Sequence, residues 1–294
     1  MKKLLLPVLL LFFIVNVTLA QEEQEANTWR TGGIASLNFS QAQFSNWNAG
    51  GENSIGGNAF VNLFANYKAE KYTWDNTLDL GFGIMKQGKR DWFKSDDKID
   101  LSSKYGRHLA GKWYYSALLG FKTQFYEGKE SMDDTTKISN FMAPGYLTLS
   151  VGFDYKPVDN FSLFISPASA RLTFVADDDL SNQGAFGVDP GKKMRFEFGG
   201  YARVQYRVDF LKNFTYATKL ELFSNYLEKP QNVDVNWENL LNYKITNLFS
   251  INLAVTLLYD DDIKFAEVLD DGSTKSVPKL QLREILGIGL TYKF

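Results

Sequence analysis

Histidine is the side chain most often used for acid–base catalysis near neutral pH, and this 294-residue chain contains one, His108. It falls within residues 106–111, where a glycine at each end predicts a solvated turn. A Ser–His or Asp–His pair needs its histidine beside a second reactive group, which such a turn does not offer. Cysteine is absent, which excludes thiolate nucleophiles, disulfides and cysteine-ligated metals. The sequence therefore predicts that the protein is not an enzyme.

Carboxylates are grouped in several polar stretches, and grouped carboxylates are ligands that Ca²⁺ prefers. The groups are residues 96–97, 133–134, 177–179, 260–262 and 270–271. Their spacing does not match a dedicated calcium loop. We therefore predict solvated loops with no bound metal and no cofactor, and the alternative use of these groups is divalent bridging to lipopolysaccharide.

A further set of charges occurs at every second position within otherwise apolar stretches, most clearly in residues 194–210. Successive residues of a strand face opposite sides, so these charges would share one face. The set comprises Arg195, Glu197, Arg203, Arg207, Lys219, Glu221 and Arg283. We predict that this set forms a charge network inside a barrel lumen. Either the charges pair across strands, because an unpaired charge away from water is costly, or the arginines form an anion-selective permeation path.

The same alternation recurs along almost the whole chain and defines about twelve segments. They begin near Arg30, Ile55, Tyr72, Lys98, Lys112, Ala143, Phe161, Met194, Phe214, Val233, Phe249 and Lys279. Short turns alternate with longer polar connections, and aromatic residues, 15% of the chain, recur at the segment ends. Both features are typical of membrane barrels. The predicted fold is an all-β, transmembrane, up-and-down antiparallel β-barrel of about 12 strands, with a break in alternation near residues 167–170.

The two ends of the chain indicate export to a membrane. Lys2 and Lys3 precede an apolar run and a small-residue site at Ala20, which predicts a cleaved signal peptide, residues 1–20, followed by a barrel, residues 21–294. Without the two lysines, 30 basic residues face 34 acidic ones, which disfavours nucleic-acid binding. A closing strand that ends in Phe294 resembles the sorting signal read by the barrel-assembly machinery. We expect the cell outer membrane as location, with its lipid and lipopolysaccharide as partners.

The first quarter of the mature chain carries a family resemblance. Its residues are Trp29-Arg30-Thr31-Gly32-Gly33, Leu37-Asn38-Phe39-Ser40-Gln41, Asn46-Trp47-Asn48-Ala49-Gly50-Gly51-Glu52-Asn53-Ser54 and Trp74-Asp75-Asn76. This block resembles an uncharacterised outer-membrane β-barrel family of Bacteroidota, a domain of unknown function. The resemblance implies a fold and a location and supplies no catalytic residues.

Part of this block is polar and rich in glycine, which predicts a tight loop. Its candidate recognition residues are Trp47, Asn48, Gly50, Gly51 and Glu52. The loop either constricts the barrel or binds a glycan through Trp47, or it is an ordinary loop whose Trp47 packs on the rim.

Three functions remain open from the sequence. The first is non-enzymatic passage of a small solute through a narrow lumen. The alternative is a structural or assembly partner in an outer-membrane complex, with a closed lumen. The third is an outer-membrane hydrolase, which would need His108 or a carboxylate pair such as Glu197 with Glu221. The solute, the oligomeric state and the protein partners are not determined by the sequence.

Overall fold

A computed structural model describes residues 28–45, 52–268 and 273–294 of the chain. The predicted signal peptide and the loop residues Trp47, Asn48, Gly50 and Gly51 lie outside the described residues. The elements are β1 (Thr28–Ala42), β2 (Ser54–Lys68), β3 (Tyr72–Gln87), β4 (Phe93–Ala110), β5 (Trp113–Thr123), β6 (Gly128–Lys129), β7 (Lys137–Ser139), β8 (Gly145–Tyr155), β9 (Phe161–Phe174), α1 (Asp178–Asn182), a 3-10 turn (Ala185–Gly187), β10 (Met194–Leu211), β11 (Phe214–Asn225), β12 (Asp234–Lys244), β13 (Phe249–Tyr259), β14 (Lys264–Val268), β15 (Thr274–Pro278) and β16 (Gln281–Lys293).

Twelve strands form one closed antiparallel barrel, in the order β1, β2, β3, β4, β5, β8, β9, β10, β11, β12, β13 and β16. The closure joins the two ends of the chain, where Phe294 and Gly33 exchange backbone hydrogen bonds of 2.9 and 3.1 Å. The remaining four strands form two small hairpins in the connections. The predicted fold and strand number are confirmed. Among the described residues, no helix has the length and apolarity needed to cross a membrane.

The predicted strand starts agree with the structure to within two residues except for the fourth strand, which begins at Phe93 instead of Lys98. The acidic pair Asp96 and Asp97 looked like loop sequence, yet both lie in β4. Asp97 is held there because it accepts hydrogen bonds from the backbone N–H groups of Phe125 (2.7 Å) and Tyr126 (2.9 Å).

The predicted position of His108 in a turn is wrong. β4 extends to Ala110 and only Gly111 and Lys112 separate it from β5, with Gly111 in the left-handed region at φ 57°. His108 therefore lies near the end of a strand, where its N–H donates to the carbonyl of Lys71 at 2.8 Å. Its exposed Nε2 lies 3.1 Å from the carbonyl oxygen of Gly111.

The connections alternate as predicted. Those at the end of the barrel where β1 begins and β16 ends have two to five residues, while most of those at the opposite end are longer and carry the hairpins and α1. In one of them Asp177 caps α1 by accepting from the backbone N–H groups of Asp179 and Leu180. Burial alone would raise the pKa of Asp177, but hydrogen bonds from Asn140 and Lys137 outweigh it and lower the pKa to about 2.

The outer face of the barrel is apolar and ends in aromatic pairs. Trp113 packs on Tyr155, with ring centroids 4.8 Å apart, at the end with the short turns. Phe198 packs on Tyr226 at 6.2 Å near the opposite end. This arrangement matches the girdles of a membrane barrel.

The predicted break in alternation is present in β9. On the side of β8, Val151 pairs with Ala168 and Phe153 with Ile165, so β9 contains one extra residue around Pro167. Proline lacks an N–H to donate and is found in sheets mainly at such bulges. The bulge reverses the parity of the strand beyond it.

Candidate functional site

A cluster of ion pairs crosses the lumen between opposite walls. Lys98 on β4 lies 2.7 Å from Glu238 on β12, which is six strands away in either direction around the barrel. Lys219 on β11 lies 2.7 Å from Asp100 on β4 and 3.4 Å from Glu238. We refer to these four residues as the charged partition. They divide the lumen into two lobes.

The partition requires a flattened cross-section. In a round barrel of twelve strands spaced by about 4.8 Å and tilted by about 40°, opposite Cα atoms are about 24 Å apart. Extended Lys and Glu side chains joined by the 2.7 Å contact of Lys98 with Glu238 hold their Cα atoms within about 14 Å. The β4 and β12 walls are therefore drawn together.

The lobe on the side of β5 and β8–β11 is filled by side chains, and we call it the packed lobe. Its apolar cluster consists of Leu118, Phe164, Tyr201 and Phe223, all buried. Below this cluster Lys104 and Asp154, which are 1% and 0% exposed, form an ion pair of 2.6 Å. The near-complete burial of these side chains indicates that this lobe is packed.

The other lobe, bounded by β13, β16, β1, β2 and β3, is lined mainly by uncharged polar and small residues, and we call it the amide lobe. Asn252 donates to Asn38 at 3.3 Å, and Asn62 donates to Asp79 at 2.5 Å. Asn58 lies opposite Asn38 in the ladder and shares its face. The inward residues Ser36, Asn58, Phe60, Asn62, Phe64, Ala254, Thr256 and Ile285 are half-buried. The amide lobe is thus the less filled part of the lumen.

The partition also contains the one carboxylate group of the described residues that has metal-like spacing. Oxygens of Asp79, Asp100 and Glu238 lie within 4.8 Å of one another. The ammonium groups of Lys98 and Lys219 already lie among these oxygens, at 2.7 to 3.9 Å. The two lysines offset two of the three carboxylate charges, and the third carboxylate, that of Asp79, also accepts a hydrogen bond of 2.5 Å from Asn62.

At the end of the lumen with the long loops, two arginines form ion pairs with several carboxylates. Arg171 forms ion pairs of 2.7 Å with both Glu197 and Asp234. Arg195 pairs with Asp262 at 2.5 Å and lies 3.8 Å from Glu197. This end of the packed lobe is thus also closed by charge pairs.

Asp260, just beyond β13, is buried in the same region. Burial and then the negative charge of Asp234 raise the pKa of Asp260 to about 6. Its carboxylate accepts a hydrogen bond of 2.8 Å from the backbone N–H of Asp262, which holds the start of the loop against the barrel.

A third charge pair crosses the amide lobe near the same end. Arg283 on β16 lies 2.5 Å from Asp96 on β4, and it also donates to Thr256 at 3.3 Å. Because β1, β2 and β3 lie between β16 and β4 on this side, the pair forms a bar across the mouth of the amide lobe.

The structure brings some of the predicted lumen residues together and separates others. Lys219 belongs to the partition, and Glu221 lies beside it, where it accepts a hydrogen bond from Lys122. Arg203 is buried and donates to Ser102 at 2.6 Å. Arg207 has no side-chain ion pair among the described residues, although its backbone N–H donates to Asn160. Glu52, the described member of the predicted recognition loop, is exposed and pairs with Arg90 at 2.8 Å.

Sequence reasoning missed three kinds of lumen residue. Lys98 lies at the predicted start of a strand and was not counted among the lumen charges. Arg171 was not singled out, although the predicted break near residues 167–170, which the structure shows, turns it inward. The asparagines of the amide lobe were not singled out because they carry no charge. Their recurrence at every fourth position in β2, at Asn58, Asn62 and Asn66, is the signal that would have found them.

Residues 39–128 match the model of the family described as Protein of unknown function (DUF3078). This stretch overlaps the block that carries the sequence resemblance, and an uncharacterised family is what that resemblance predicted. The bacterial group stays a prediction. A search of curated proteins finds no match.

Among solved structures, the chain is similar to several outer-membrane barrels. One is the COG4313 outer membrane channel from Pseudomonas putida F1, with 13% identity, 93% of this chain and 97% of that chain covered, and a TM-score of 0.40. Another is the NanC porin, with 12% identity, coverage of 90% and 100%, and a TM-score of 0.37. A third is the translocator domain of autotransporter NalP from Neisseria meningitidis, with 9% identity, coverage of 92% and 90%, and a TM-score of 0.33.

Proposed function

We propose that this protein is a non-enzymatic barrel of the cell outer membrane that passes small solutes through the amide lobe. The observation that carries this proposal is the charged partition, which joins opposite walls and leaves one lobe lined mainly by amides, hydroxyls and small residues, with a few apolar side chains such as Phe60 and Ile285. The apolar outer face and the aromatic girdles support a membrane location. The strand that ends in Phe294 would be the element read by the barrel-assembly machinery.

The solutes that fit this path are small and carry no net charge. Asparagine offers both donors and acceptors to a passing hydroxyl or amide group. The nearby charges of the partition are already paired with one another, so they offer little attraction to a free ion. We therefore expect weak ion selectivity, in contrast to the anion-selective path that the arginines alone suggested.

The test is a pair of tryptophan substitutions at neighbouring positions of β1. Ser36 faces the amide lobe, whereas Ala35 has the opposite parity and faces outward. Ser36→Trp should block the lobe and strongly reduce both single-channel conductance in planar bilayers and the swelling of sugar-loaded proteoliposomes. Ala35→Trp should leave both unchanged, because its indole would lie in the lipid-facing wall.

Folding of each variant is checked by heat-modifiable migration on gels, so that a loss of passage is not a loss of structure. Equal passage by the two variants would place the path elsewhere. If the folded wild-type barrel shows neither conductance nor sugar passage, the second candidate, a structural barrel with a closed lumen, is favoured. The buried ion pairs of the packed lobe are also compatible with that candidate.

A further inference from the structure

The seam that closes the barrel is paired over only part of its height. Its ladder runs from Ile34 opposite Lys293 to Asn38 opposite Gly289. β1 continues for four more residues, which pair with β2 alone, and β16 has eight further residues, which pair with β13 alone. Among the described residues, nothing pairs with the facing edges of these extensions. All other neighbouring barrel strands are joined by ladders of ten or more residue pairs.

Side-chain exposure agrees with an open gap at this place. On the two lips, Phe39, Leu286 and Ile288 are 67%, 67% and 59% exposed. Among the exposed outward residues of fully paired walls, the values range from 38% at Leu101 to 58% at Val151. Phe39 and Leu286 lie above this range, and Ile288 lies at its upper limit. The lips lack the neighbouring strand that covers part of each side chain elsewhere.

The gap lies at membrane depth and opens into the amide lobe. The eight residues of β16 beyond Gly289 rise by about 20 Å in a strand tilted by about 40°, compared with an apolar band of about 25 Å. The paired part of the seam ends at the hydrogen bond of Asn252 to Asn38, which forms the floor of the gap. Glycine at 287 leaves room for this floor, since a Cβ there would lie 2.8 Å from Cγ of Asn38.

An open strand edge in lipid leaves backbone N–H and C=O groups without hydrogen-bond partners, and each such unpaired group is energetically unfavourable in the hydrocarbon core. Such backbone is tolerated at membrane depth where it lines a polar, hydrated cavity, and the half-buried polar side chains of the amide lobe behind the gap would line such a cavity. At the end of the barrel with the long loops, the ion pair of Arg283 with Asp96 spans the mouth of that lobe. The pair thus narrows the mouth of the lobe, and the gap adds an opening at its side.

We propose that the unpaired part of the β1–β16 seam is a lateral portal between the amide lobe and the outer leaflet, and that its ligand is an amphiphile with an uncharged or zwitterionic head. The head would hydrogen-bond to the asparagines and to the free backbone groups, while the tail would lie between the apolar lips. This proposal rests on the proposed function, since it names the class of molecule that the amide lobe takes and the direction in which it leaves.

The first test uses lipid itself as the probe. Because the chain has no cysteine, a bimane fluorophore can be placed at Ile285→Cys, which faces inward beside the gap. Leu240→Cys is the matched control: it faces inward on the same rung, through Ala254, but lies between fully paired strands. In phosphatidylcholine proteoliposomes that contain nitroxide-labelled phosphatidylcholine, quenching at position 285 should be several-fold greater than at position 240. Equal quenching at the two positions would overturn the portal.

The second test asks whether the seam is open in the membrane. The register of the paired part places Ser36 opposite Thr291, and its continuation would place Ala42 opposite Ile285. Oxidation should link Ser36→Cys to Thr291→Cys rapidly and leave Ala42→Cys with Ile285→Cys reduced. Equally rapid linking of both pairs would mean a closed seam and would reject the proposal.

Failure of the portal and failure of the proposed function give different results. Sugar passage that is blocked by Ser36→Trp, together with equal quenching at 285 and 240, supports a lumen path without a side exit. Strong quenching at 285 in a barrel that passes no sugar supports the portal and rejects passage of small solutes.

Discussion

At the scale of single residues, the interior of this barrel is organised by buried ion pairs. Lys104 and Asp154 are almost fully buried, and Ser162 completes the group, since it accepts from Lys104 at 2.6 Å and donates to Asp154 at 2.7 Å. Such a pair adds little stability compared with apolar residues of the same volume, but removal of one partner leaves a charge buried without compensation.

We therefore expect Lys104→Met to destabilise the barrel by about 3 kcal/mol, measured by urea unfolding in phospholipid vesicles. Lys68→Met should have little effect, because Lys68 pairs with Asp159 on the surface, where both side chains are mostly exposed. The double variant Lys104→Met with Asp154→Leu should recover most of the loss. A double variant as unstable as Lys104→Met alone would argue against charge burial as the cause.

At the scale of elements, the bulge in β9 decides which side chains of that strand reach the lumen. Before the bulge Phe164 faces inward, and after it Arg171 does so. The adjacent β8 accommodates the bulge through Gly152, where a Cβ would lie 2.1 Å from the carbonyl oxygen of Ile165 and 2.7 Å from Cα of Ser166. Glycine is required there because the backbone of β9 approaches so closely.

Gly152→Ala should accordingly cost about 1–3 kcal/mol, because the backbone contacts must shift to admit the methyl group. Gly120→Ala in β5 is the matched control, since the nearest atom to its Cβ would be Cβ of Thr148 at 3.7 Å. Thermal unfolding in detergent should distinguish the two. If both variants unfold at the same temperature, the bulge does not depend on this glycine.

At the scale of the whole molecule, the charged partition flattens the barrel along the β4–β12 direction. Flattening closes the packed lobe onto its apolar cluster and leaves the amide lobe beside it. The short seam of β1 and β16 lies in the wall of the amide lobe because of the strand order, so the proposed path and the proposed portal share this lobe.

Distance measurements between spin labels test this shape. Outward-facing labels at Ile99→Cys and Asn239→Cys are on β4 and β12, and labels at Leu37→Cys and Ile165→Cys are on β1 and β9; each pair is six strands apart. Double electron–electron resonance should give a clearly shorter distance between the labels of the first pair than between those of the second. Equal distances would indicate a round barrel and would remove the basis for the two lobes.

The amino-acid sequence alone determined the strand number, most of the strand starts, the inner and outer faces and the bulge near Pro167. These features depend on alternation with a period of two, which is a local property of the chain. The start of β4 and the position of His108 were missed because a polar strand end and a turn have similar composition. The role of Arg171 was missed although the predicted break turns this residue inward, because parity does not show which carboxylates it meets.

Only the tertiary structure decided which charges meet, how the lumen is divided and where the seam stops. Lys98 and Glu238 are 140 residues apart in the chain, and their contact depends on the circumference, tilt and flattening of the closed barrel. The length of the β1–β16 ladder likewise depends on how the first and last strands meet after all others are in place. No local pattern encodes these distances, because parity tells which face a side chain occupies and not which side chain lies across from it.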